Sequence, residues 1–501
     1  MLRNFSVLGL LCVVTSGAAR GSCANCCAKL ASSLPGKVFS PDSAAYEASL
    51  ASYWALQEQL ITPSCIVSPT TAIDVSTALK IIVPDSCKFA VRGGGHGTAV
   101  GVANIEDGIT IDLRGIDTIV LSEDKEQVAV GGAATLGDVY TYLAQYGVSI
   151  PGARAAGIGV GGSTLGGGFG YFAPSQGLAA DSVAEYEVVL ANGDIITANQ
   201  QSNSDLWRAL KGGGSNFGIV TKLTFNTFPL GEVWAGDVFF SVSNETVQST
   251  ATALYNFASN PDYDENASVF VLYAYQNAPV VLVEYTYTAP VVDAPVFDEF
   301  EAVPGQLLNT TAVTTIPTLS ASSQAQSPSG FEQITFAMTF VNDEQMILEA
   351  YNIMIAASSK LTGVAGAAIG LTLRPIVPSM IRPDDVLGLE VPAQGLIQTI
   401  GSVQFNLTAD YSLMNNVADQ MLSDLEAAAK RLGVYNRYID MNHAKTEQKV
   451  LEGYGSQNYE LLKAVAGKYD PKGVFQNLMP GGFKLLWVEF YILAPFDSSD
   501  H

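Results

Sequence analysis

The sequence predicts an α+β protein of two domains, and three observations support that fold class. The chain has 501 residues, 48% of them hydrophobic and 15% charged, which is more than one ordinary domain needs. Residues 40–230 alternate short β-type runs with clusters of glycine. After Pro229 the glycine clusters stop, and longer alternating segments and helical patterns begin, which indicates a second domain over residues 231–435.

The N-terminus has the layout of a secretory signal peptide over residues 1–18. Arg3 precedes an apolar stretch at 7–14, and small residues follow at 16–19. The stretch is too short to span a bilayer, and the alternative is a buried N-terminal helix. We therefore expect a secreted, extracellular glycoprotein. The candidate N-glycosylation sites are Asn244, Asn266, Asn309 and Asn406.

The charge balance restricts the partners of the chain. The formal net charge is −23 at pH 7. Nucleic acids and anionic membranes require clustered Lys and Arg, so both are excluded as expected partners. The charge says nothing about catalysis, and the oligomeric state stays open.

Five cysteines follow the signal segment, and an oxidising compartment favours bridges between them. Cys65 and Cys87 flank strand-like runs that could lie side by side, which predicts a Cys65–Cys87 disulfide. Cys23, Cys26 and Cys27 lie too close together for two bridges, so one thiol is left over. A zinc site is the alternative, but no histidine lies nearby and no metal is predicted.

Secondary structure in the first domain is predicted to be mostly short strands with few helices. Asn192-Gly193 indicates a hairpin between two apolar runs. The second domain has alternating segments typical of an antiparallel sheet. The tail, residues 436–485, is expected to return to the first domain. The helical patterns lie at 72–81, 136–146, 344–358, 415–432 and 457–468.

A glycine turn that follows a predicted strand presents a histidine. The turn reads Arg92-Gly93-Gly94-Gly95-His96, and Gly97 and Gly101 continue it. Successive glycines can adopt positive φ and let backbone N–H groups converge, which suits a pyrophosphate. The alternative is a plain tight turn that carries a surface histidine.

A second glycine cluster occupies residues 157–170 and contains a G-x-G-x-x-G dinucleotide fingerprint. That fingerprint should open a helix, which so many glycines cannot sustain at a cost of about 1 kcal/mol each. We expect instead a backbone that lies flat against a large planar ligand. Residues 211–220 contain a third glycine cluster, for which we expect the same arrangement. The glycines of the second cluster are Gly157, Gly159, Gly161, Gly162, Gly166, Gly167, Gly168 and Gly170.

Three glycine clusters around one histidine resemble the berberine-bridge-enzyme-like branch of the vanillyl-alcohol-oxidase flavoprotein superfamily, notably its secreted fungal members. The resemblance covers residues 40–230 and 435–485. It implies a two-domain FAD-binding fold of the vanillyl-alcohol-oxidase type. In that fold the FAD domain is built from N- and C-terminal segments, and a substrate domain with an antiparallel sheet lies between them. The matching segments are 89–96, 177–183, 205–220 and 469–475.

The resemblance implies that His96 carries FAD covalently on the flavin 8α-methyl carbon. Many relatives add a flavin–cysteine bond just before the glycine run, where this chain has Ala155, so one tether is expected. In relatives, double attachment of the flavin accompanies open sites for sugars. The absence of a second attachment in this chain therefore argues against a carbohydrate substrate. Cofactor contacts are expected from the glycines of the His96 turn and of the second cluster, except Gly170. They are also expected from Arg92, Ser163, Asp181, Gly218, Ile219, Val220 and Asn442.

Two departures from the family pattern concern the catalytic site. Gln176 stands where relatives usually have a tyrosine, and Asn442-His443, followed by Gln448, resembles their Asn-Tyr…Gln. A histidine with an unperturbed pKa near 6.5 accepts a proton more readily than a tyrosine near 10, so His443 is the candidate acid–base residue. The alternative is a structural histidine. Further candidates for a substrate cavity, with strand-core roles as the alternative, are Tyr171, Gln404 and Tyr411.

The predicted function is therefore that of a secreted FAD-linked oxidase. It would transfer a hydride from an alcohol or amine-type carbon to the flavin, with O2 as acceptor and H2O2 as product. The expected partners are O2 and a small-molecule substrate, a fungal secondary metabolite that is oxidised or oxidatively cyclised. The alternatives are a carbohydrate oxidase, a redox-neutral cyclase and a non-catalytic flavin-binding protein.

Overall fold

The computed structural model describes residues 17–485. Most of the proposed signal segment, residues 1–16, lies outside the described residues, as does His501. Within the described range, no helix is both long enough and apolar enough to cross a bilayer.

The first layer is a small sheet that leads into the His96 turn. Its strand order is β1-β2-β4-β3, and β4 pairs in parallel with both β2 and β3. Thr71 and Asp74 form a capping box that starts the helix between β2 and β3. The elements are α1 (Gly17–Ser33), β1 (Val38–Phe39), α2 (Ala44–Leu50), α3 (Leu56–Gln59), β2 (Cys65–Val67), α4 (Ala72–Ile82), β3 (Phe89–Arg92) and β4 (Ile109–Asp112).

A second, antiparallel sheet completes the N-terminal part and has the strand order β5-β6-β10-β8-β9. The predicted hairpin is confirmed, since β8 and β9 pair around Gly193 at φ +84°. Two further strands, β7 and β11, pair with each other. The elements are β5 (Ile119–Leu121), β6 (Gln127–Gly131), α5 (Leu136–Ala144), β7 (Val148–Ser149), α6 (Val160–Leu165), α7 (Ala173–Gln176), β8 (Val183–Val189), β9 (Ile195–Asn199), α8 (Ser204–Ala209), β10 (Ile219–Asn226) and β11 (Phe228–Pro229).

A nine-stranded antiparallel sheet forms the middle of the chain, in the order β15-β12-β14-β13-β18-β19-β17-β20, with β16 beside β12. One face packs on α9, α12 and α13 through an apolar core. The elements are β12 (Val233–Ser241), α9 (Asn244–Ser259), β13 (Ala267–Tyr275), β14 (Pro279–Tyr287), α10 (Asp298–Glu301), β15 (Gln306–Asn309), β16 (Ala312–Thr314), α11 (Ile316–Ala325), β17 (Glu332–Val341), α12 (Glu344–Ser358), β18 (Ala368–Ile376), β19 (Leu396–Phe405), α13 (Tyr411–Leu432) and β20 (Tyr435–Asn436).

The other face of this sheet carries polar side chains toward the N-terminal part. Side chains alternate between the faces of a strand, so Arg374 of β18 and its partner Gln398 of β19 point away from the three helices. The same alternation puts Asp237 and Glu284, which face each other on β12 and β14, on the polar side. Four buried polar side chains on one sheet face mark that face as a site rather than a core.

The tail returns to the first two sheets through α14 (Val450–Gly453), α15 (Ser456–Tyr469) and α16 (Val474–Asn477). The N–H of Phe89 donates to the carbonyl of Leu478 at 2.8 Å, and the ring of Phe475 meets that of Phe89 edge-on. Lys468 pairs with Asp205 on α8 at 2.6 Å. The two-domain α+β fold, with one domain drawn from both ends of the chain, is confirmed.

The predicted Cys65–Cys87 disulfide is wrong. The bridges are Cys26–Cys87 and Cys27–Cys65, and Cys23 is the free, buried thiol. β4 lies between β2 and β3, so the two predicted partners are about two strand spacings, roughly 10 Å, apart. A disulfide reaches only about 7 Å between Cα atoms. α1 packs alongside and brings adjacent cysteines within 6.9 and 6.1 Å.

Candidate active site

His96 lies just beyond β3, at the junction between the first sheet and the middle domain. Its ring stacks on the indole of Trp54, with centroids 4.2 Å apart and planes inclined by 11°. Nε2 of His96 is buried and has no hydrogen-bond partner within the described residues. Burial, with a smaller contribution from the nearby His443, lowers the pKa of His96 to about 4. The imidazole is therefore neutral at pH 7, with a lone pair free for a bond to another group.

Arg92 lies beneath this turn and has protein partners. Its guanidinium donates to the carbonyl of Ser49 at 2.6 Å, lies 3.8 Å from the carboxylate of Asp112, and covers the ring of Tyr53 at 3.7 Å. A Cβ on Gly95, at φ +74°, would lie 2.7 Å from Nε of Arg92. Arg92 therefore packs against one side of the turn. The glycine backbone on the opposite side is left to face a ligand.

The glycine clusters come together, as their adjacency to strands predicts. Gly94 and Gly159 touch so closely that a Cβ on either would overlap the other's backbone, at 2.5 Å. Gly161 packs on the carbonyl of Gly132 in the same way. Close backbone packing therefore explains several glycines without any ligand.

Gly162 differs from its neighbours. It is exposed, and a Cβ there would meet nothing within 4 Å. Asn442, which is also exposed, lies next to it and donates to the carbonyl of Ser163 at 2.9 Å. An open glycine backbone beside a buried, unpartnered imidazole nitrogen fits a long ligand that ends at His96.

The second glycine cluster contains a short helix, so the prediction that this run forms no helix is wrong. Helix α6 spans Val160–Leu165 and includes two glycines. It is a single short helix, fixed by bonds such as Gly161 N to Gly132 O at 3.1 Å, so packing offsets the low helix propensity of glycine.

His443 is held in a buried charged network. Its Nδ1 lies 2.7 Å from Oδ2 of Asp440, which is 1% exposed. Nη2 of Arg374 donates to the same oxygen at 2.9 Å, and its Nε donates to Oε1 of Gln398. Burial opposes ionisation of Asp440, but His443 and Arg374 outweigh it and lower its pKa to about 2.

Gln448 anchors the loop that carries His443. Its side chain accepts from the N–H of Ala337 at 3.0 Å and donates to the carbonyl of Ala337 at 2.6 Å, so it bonds to β17 like an additional strand residue. It also accepts from the N–H of Lys445 at 2.9 Å. The position of His443 is therefore fixed on both sides, by Asp440 before it and by Gln448 after it.

Ala155 lies in a buried loop that the middle domain closes. Gln324 of α11 accepts from the N–H of Gly157 at 2.8 Å. Arg154 crosses to the large sheet, pairs with Glu284 at 2.9 Å and covers the ring of Phe270. This ion pair joins the two domains beside the position where doubly linked relatives have a cysteine.

The other expected site residues are spread more widely. Asp181 accepts from the N–H of Leu178 at 2.8 Å and so shapes its own loop. Ile219 and Val220 pair with β8, and a Cβ on Gly218 would meet Val188 at 2.5 Å. These residues lie in the packed wall behind the glycine clusters.

The three additional cavity candidates do not share one lining. The hydroxyl of Tyr171 is buried, Gln404 accepts from Gln333 at 3.2 Å, and Tyr411 lines a small pocket beside Thr98. Gln176 is half-buried at the end of α7. Among these residues only Tyr411 approaches the loop that follows His96.

Comparisons with known proteins agree with this geometry. An FAD binding domain family matches residues 63–199. The FAD-dependent monooxygenase sdcF of Emericella nidulans is 35% identical over 474 residues, 92% of this chain and 98% of the relative. The FAD-dependent monooxygenase tpcD of Cochliobolus heterostrophus is 32% identical over 449 residues, covering 86% and 87%.

Solved structures share the fold at low sequence identity. 6-Hydroxy-D-nicotine oxidase from Arthrobacter nicotinovorans is 21% identical with a TM-score of 0.77, over 90% of this chain and 98% of that one. Glucooligosaccharide oxidase from Acremonium strictum, which has a 6-S-cysteinyl, 8α-N1-histidyl FAD, is 19% identical with a TM-score of 0.78, over 93% and 100%.

The fold and the site thus define an FAD-dependent oxidoreductase. The chain belongs to the family of fungal FAD-dependent monooxygenases that includes sdcF and tpcD, and it shares its fold with flavin oxidases and with a BBE-like protein of Physcomitrella patens. The predicted family and enzyme class are confirmed.

Sequence reasoning missed the residues that position the two histidines. Trp54 carries no motif, and Arg374 is an isolated arginine in an apolar strand. Asp440 had a usable signal, because an acidic residue three positions before a candidate base can reach its ring. The isolated Arg374 is a weaker signal of the same kind, since a charge within a buried strand needs a partner.

Proposed function

We propose that the chain is an oxidase that carries FAD on His96 alone and oxidises an alcohol-type carbon of a small secondary metabolite. The observation that carries this proposal is the buried, neutral, unpartnered Nε2 of His96 next to the packed glycines Gly94 and Gly159, with His443 close by. A single tether follows because Ala155 offers no sulfur where the Acremonium oxidase, with its cysteinyl and histidyl FAD, has a second bond.

When bound, FAD supplies a two-electron acceptor that takes the hydride from the substrate carbon and passes both electrons to O2, which becomes H2O2. The protein supplies binding, orientation and a base. Gly162, Ser163 and Asn442 would hold the cofactor, and His96 would fix its position.

His443 performs the proton transfer. As the C–H bond of the substrate breaks, the hydroxyl proton moves to Nε2 of His443 and the C–O bond becomes a carbonyl. The carboxylate of Asp440, 2.7 Å from the other ring nitrogen, balances the new imidazolium charge. Water can then remove that proton, because the His443 side chain is 34% exposed.

The substrate class rests on the relatives. Relatives at 35% and 32% identity are fungal FAD-dependent monooxygenases that align over most of both chains. Likeness to a glucooligosaccharide oxidase is a likeness of fold only, at 19% identity. We therefore assign a secondary-metabolite substrate in preference to a sugar, with O2 as the second substrate.

The test is anaerobic bleaching of the enzyme-bound flavin with a panel of alcohols, polyketides and oligosaccharides, followed by aeration and assay of H2O2. The proposal expects bleaching by an alcohol or polyketide and one H2O2 per flavin reoxidised. Bleaching by oligosaccharides alone would favour a carbohydrate oxidase. Product formation with neither bleaching nor O2 uptake would favour a redox-neutral cyclase, and no response to any compound would favour a binding protein.

The His443→Phe variant tests the base in the same assay. Flavin reduction should slow by about 10²- to 10⁴-fold, the usual contribution of a positioned base. Asp343→Asn is the matched control, because Asp343 caps α12 in the middle domain and is not part of the site. Reduction of the Phe variant at the wild-type rate would refute the role of His443.

We also propose that the protein is secreted. Two disulfides support an oxidising compartment, and all four sequon asparagines are exposed. N-terminal sequencing of protein from the medium of an expressing fungus should begin near residue 19. Glycosidase treatment should lower its mass. Protein found only inside the cells would contradict secretion.

A further inference from the structure

The loop of residues 436–443 places a carboxylate directly behind the candidate base. Asp440 is 1% exposed, and its Oδ2 lies 2.7 Å from Nδ1 of His443. Its Oδ1 accepts from the N–H of Asn442 at 3.2 Å. Both carboxylate oxygens are thus engaged by the turn that carries the histidine, so the carboxylate and the ring are held in one rigid unit.

The carboxylate is also held by the large sheet. Nη2 of Arg374 on β18 donates to Asp440, and Nε of Arg374 donates to Gln398 on β19. The guanidinium covers the ring of Phe169, 4.3 Å from its centroid, near the end of the second glycine cluster. Three elements of the fold therefore determine where Asp440 lies, and Asp440 determines where His443 lies.

We propose that Asp440 is a positioning residue that fixes the neutral His443 with its proton on Nδ1, which leaves Nε2 as the acceptor for the substrate proton. This inference rests on the proposed function, in which His443 is the base. Arg374 is the anchor of the pair, since its buried guanidinium donates to the carboxylate of Asp440 at 2.9 Å.

The charges around the pair support one tautomer. Burial alone would raise the pKa of Asp440, but His443 and Arg374 lower it to about 2, so the group is an ionised acceptor at neutral pH. A carboxylate cannot donate, so Nδ1 must. Arg374 stays charged, although burial lowers its pKa to about 10. The other titratable or charged groups that face this network are His96, Arg154, Tyr438 and Tyr454.

The kinetic test compares the holoenzymes of wild type, Asp440→Asn, His443→Phe and the Asp343→Asn control by stopped-flow anaerobic flavin reduction from pH 5 to 9. Loss of the carboxylate removes the negative charge beside the imidazole, so the acid limb of the reduction rate should move to lower pH. The rate at the plateau should fall at least about tenfold, because the ring can then adopt the wrong tautomer.

The outcomes separate the two proposals. If His443→Phe is as fast as wild type, the base assignment fails, and the role of Asp440 fails with it. If His443→Phe is slow but Asp440→Asn keeps the wild-type rate and acid limb, only the positioning role is refuted. A reduced rate with an unmoved acid limb would show a structural effect, and it would also count against the proposal.

A spectroscopic test covers the case in which Asp440→Asn fails to fold because Arg374 is left unpaired. The chain contains three histidines, so ¹⁵N-histidine labelling of the wild-type holoenzyme gives few side-chain signals, and His443→Phe identifies one of them. At pH above the titration of His443, its Nδ1 should carry the proton and Nε2 should show the shift of an unprotonated nitrogen. A protonated Nε2 would overturn the inference without any variant of Asp440.

Discussion

The indole of Trp54 lies flat against the imidazole of His96, with ring centroids 4.2 Å apart. Nε1 of Trp54 donates to the carbonyl of Ser327, 3.0 Å away in the middle domain, so the indole is fixed from both sides. The N–H of Trp54 donates to the carbonyl of Gly95 at 3.0 Å. Trp54 thus sets the plane of the histidine ring and holds the turn before it, and among the described residues it leaves Nε2 without a hydrogen-bond partner.

From this stack we predict that Trp54→Ala lowers the fraction of covalently bound flavin severalfold, because the imidazole then rotates away from the attaching geometry. Trp54→Phe should retain most of the attachment, since a phenyl ring still stacks. The measurement is flavin fluorescence in the protein band after acid precipitation and denaturing electrophoresis. Equal fluorescence in wild type and Trp54→Ala would show that the stack does not assist attachment.

The His96→Ala variant should release all of its flavin on acid precipitation. Ala155 stands where a sulfur would be needed for a second bond, so no tether remains once the imidazole is removed. The absorbance of the supernatant and the mass of the denatured protein both report the result, with Asp343→Asn as the control that keeps the flavin. Acid-stable flavin in His96→Ala would reveal a second attachment site.

Peptide mapping without reduction should recover the bridges Cys26–Cys87 and Cys27–Cys65, which tie α1 to the first sheet. The first closes a sequence separation of 61 residues, so its removal in Cys26→Ser/Cys87→Ser should cost about 4 kcal/mol in the free energy of unfolding. Urea denaturation measures that loss. Cys23→Ser is the control, because Cys23 is not bridged. A Cys65–Cys87 peptide pair would contradict the described pairing.

Local patterns in the sequence predicted much of the fold, and the reasons are local. Helix α12 begins and ends where its sequence pattern does, because Asp343 caps it and its apolar face is periodic. The hairpin at Gly193 follows from a two-residue turn signal. The prediction of the disulfide pairing was wrong because the pairing depends on the order of the strands in the sheet. The sequence of a parallel sheet does not reveal that order.

The site was predictable only where a motif carries it. His96 is marked by three glycines, whereas Trp54, some forty positions earlier, meets it through a loop that no local pattern indicates. Asp440 and Arg374 lie 66 positions apart and meet only because β18 and the loop after β20 converge. Long-range contacts of this kind depend on the tertiary fold, so sequence spacing predicted His443 but not its partners.

Glu58 clamps the loop that follows His96. Its carboxylate accepts from the N–H of Gly101 at 2.5 Å and of Ala103 at 3.1 Å, and the side chain is fully buried. Burial raises the pKa of Glu58 to about 7, despite the opposing effect of these hydrogen bonds. The folded protein therefore keeps this proton up to neutral pH, whereas the unfolded chain loses it near pH 4.3.

The contribution of Glu58 to stability is therefore complete below about pH 4 and is lost as the pH rises through 7. Wild type should lose roughly 3 kcal/mol of unfolding free energy from this group between pH 4 and 8. The Glu58→Gln variant stays neutral at every pH and should not show this loss. The difference in unfolding free energy between the two proteins should therefore change by that amount between pH 4 and 8 in urea titrations. Parallel curves for the two proteins would mean that Glu58 releases its proton as readily in the folded state as in the unfolded chain.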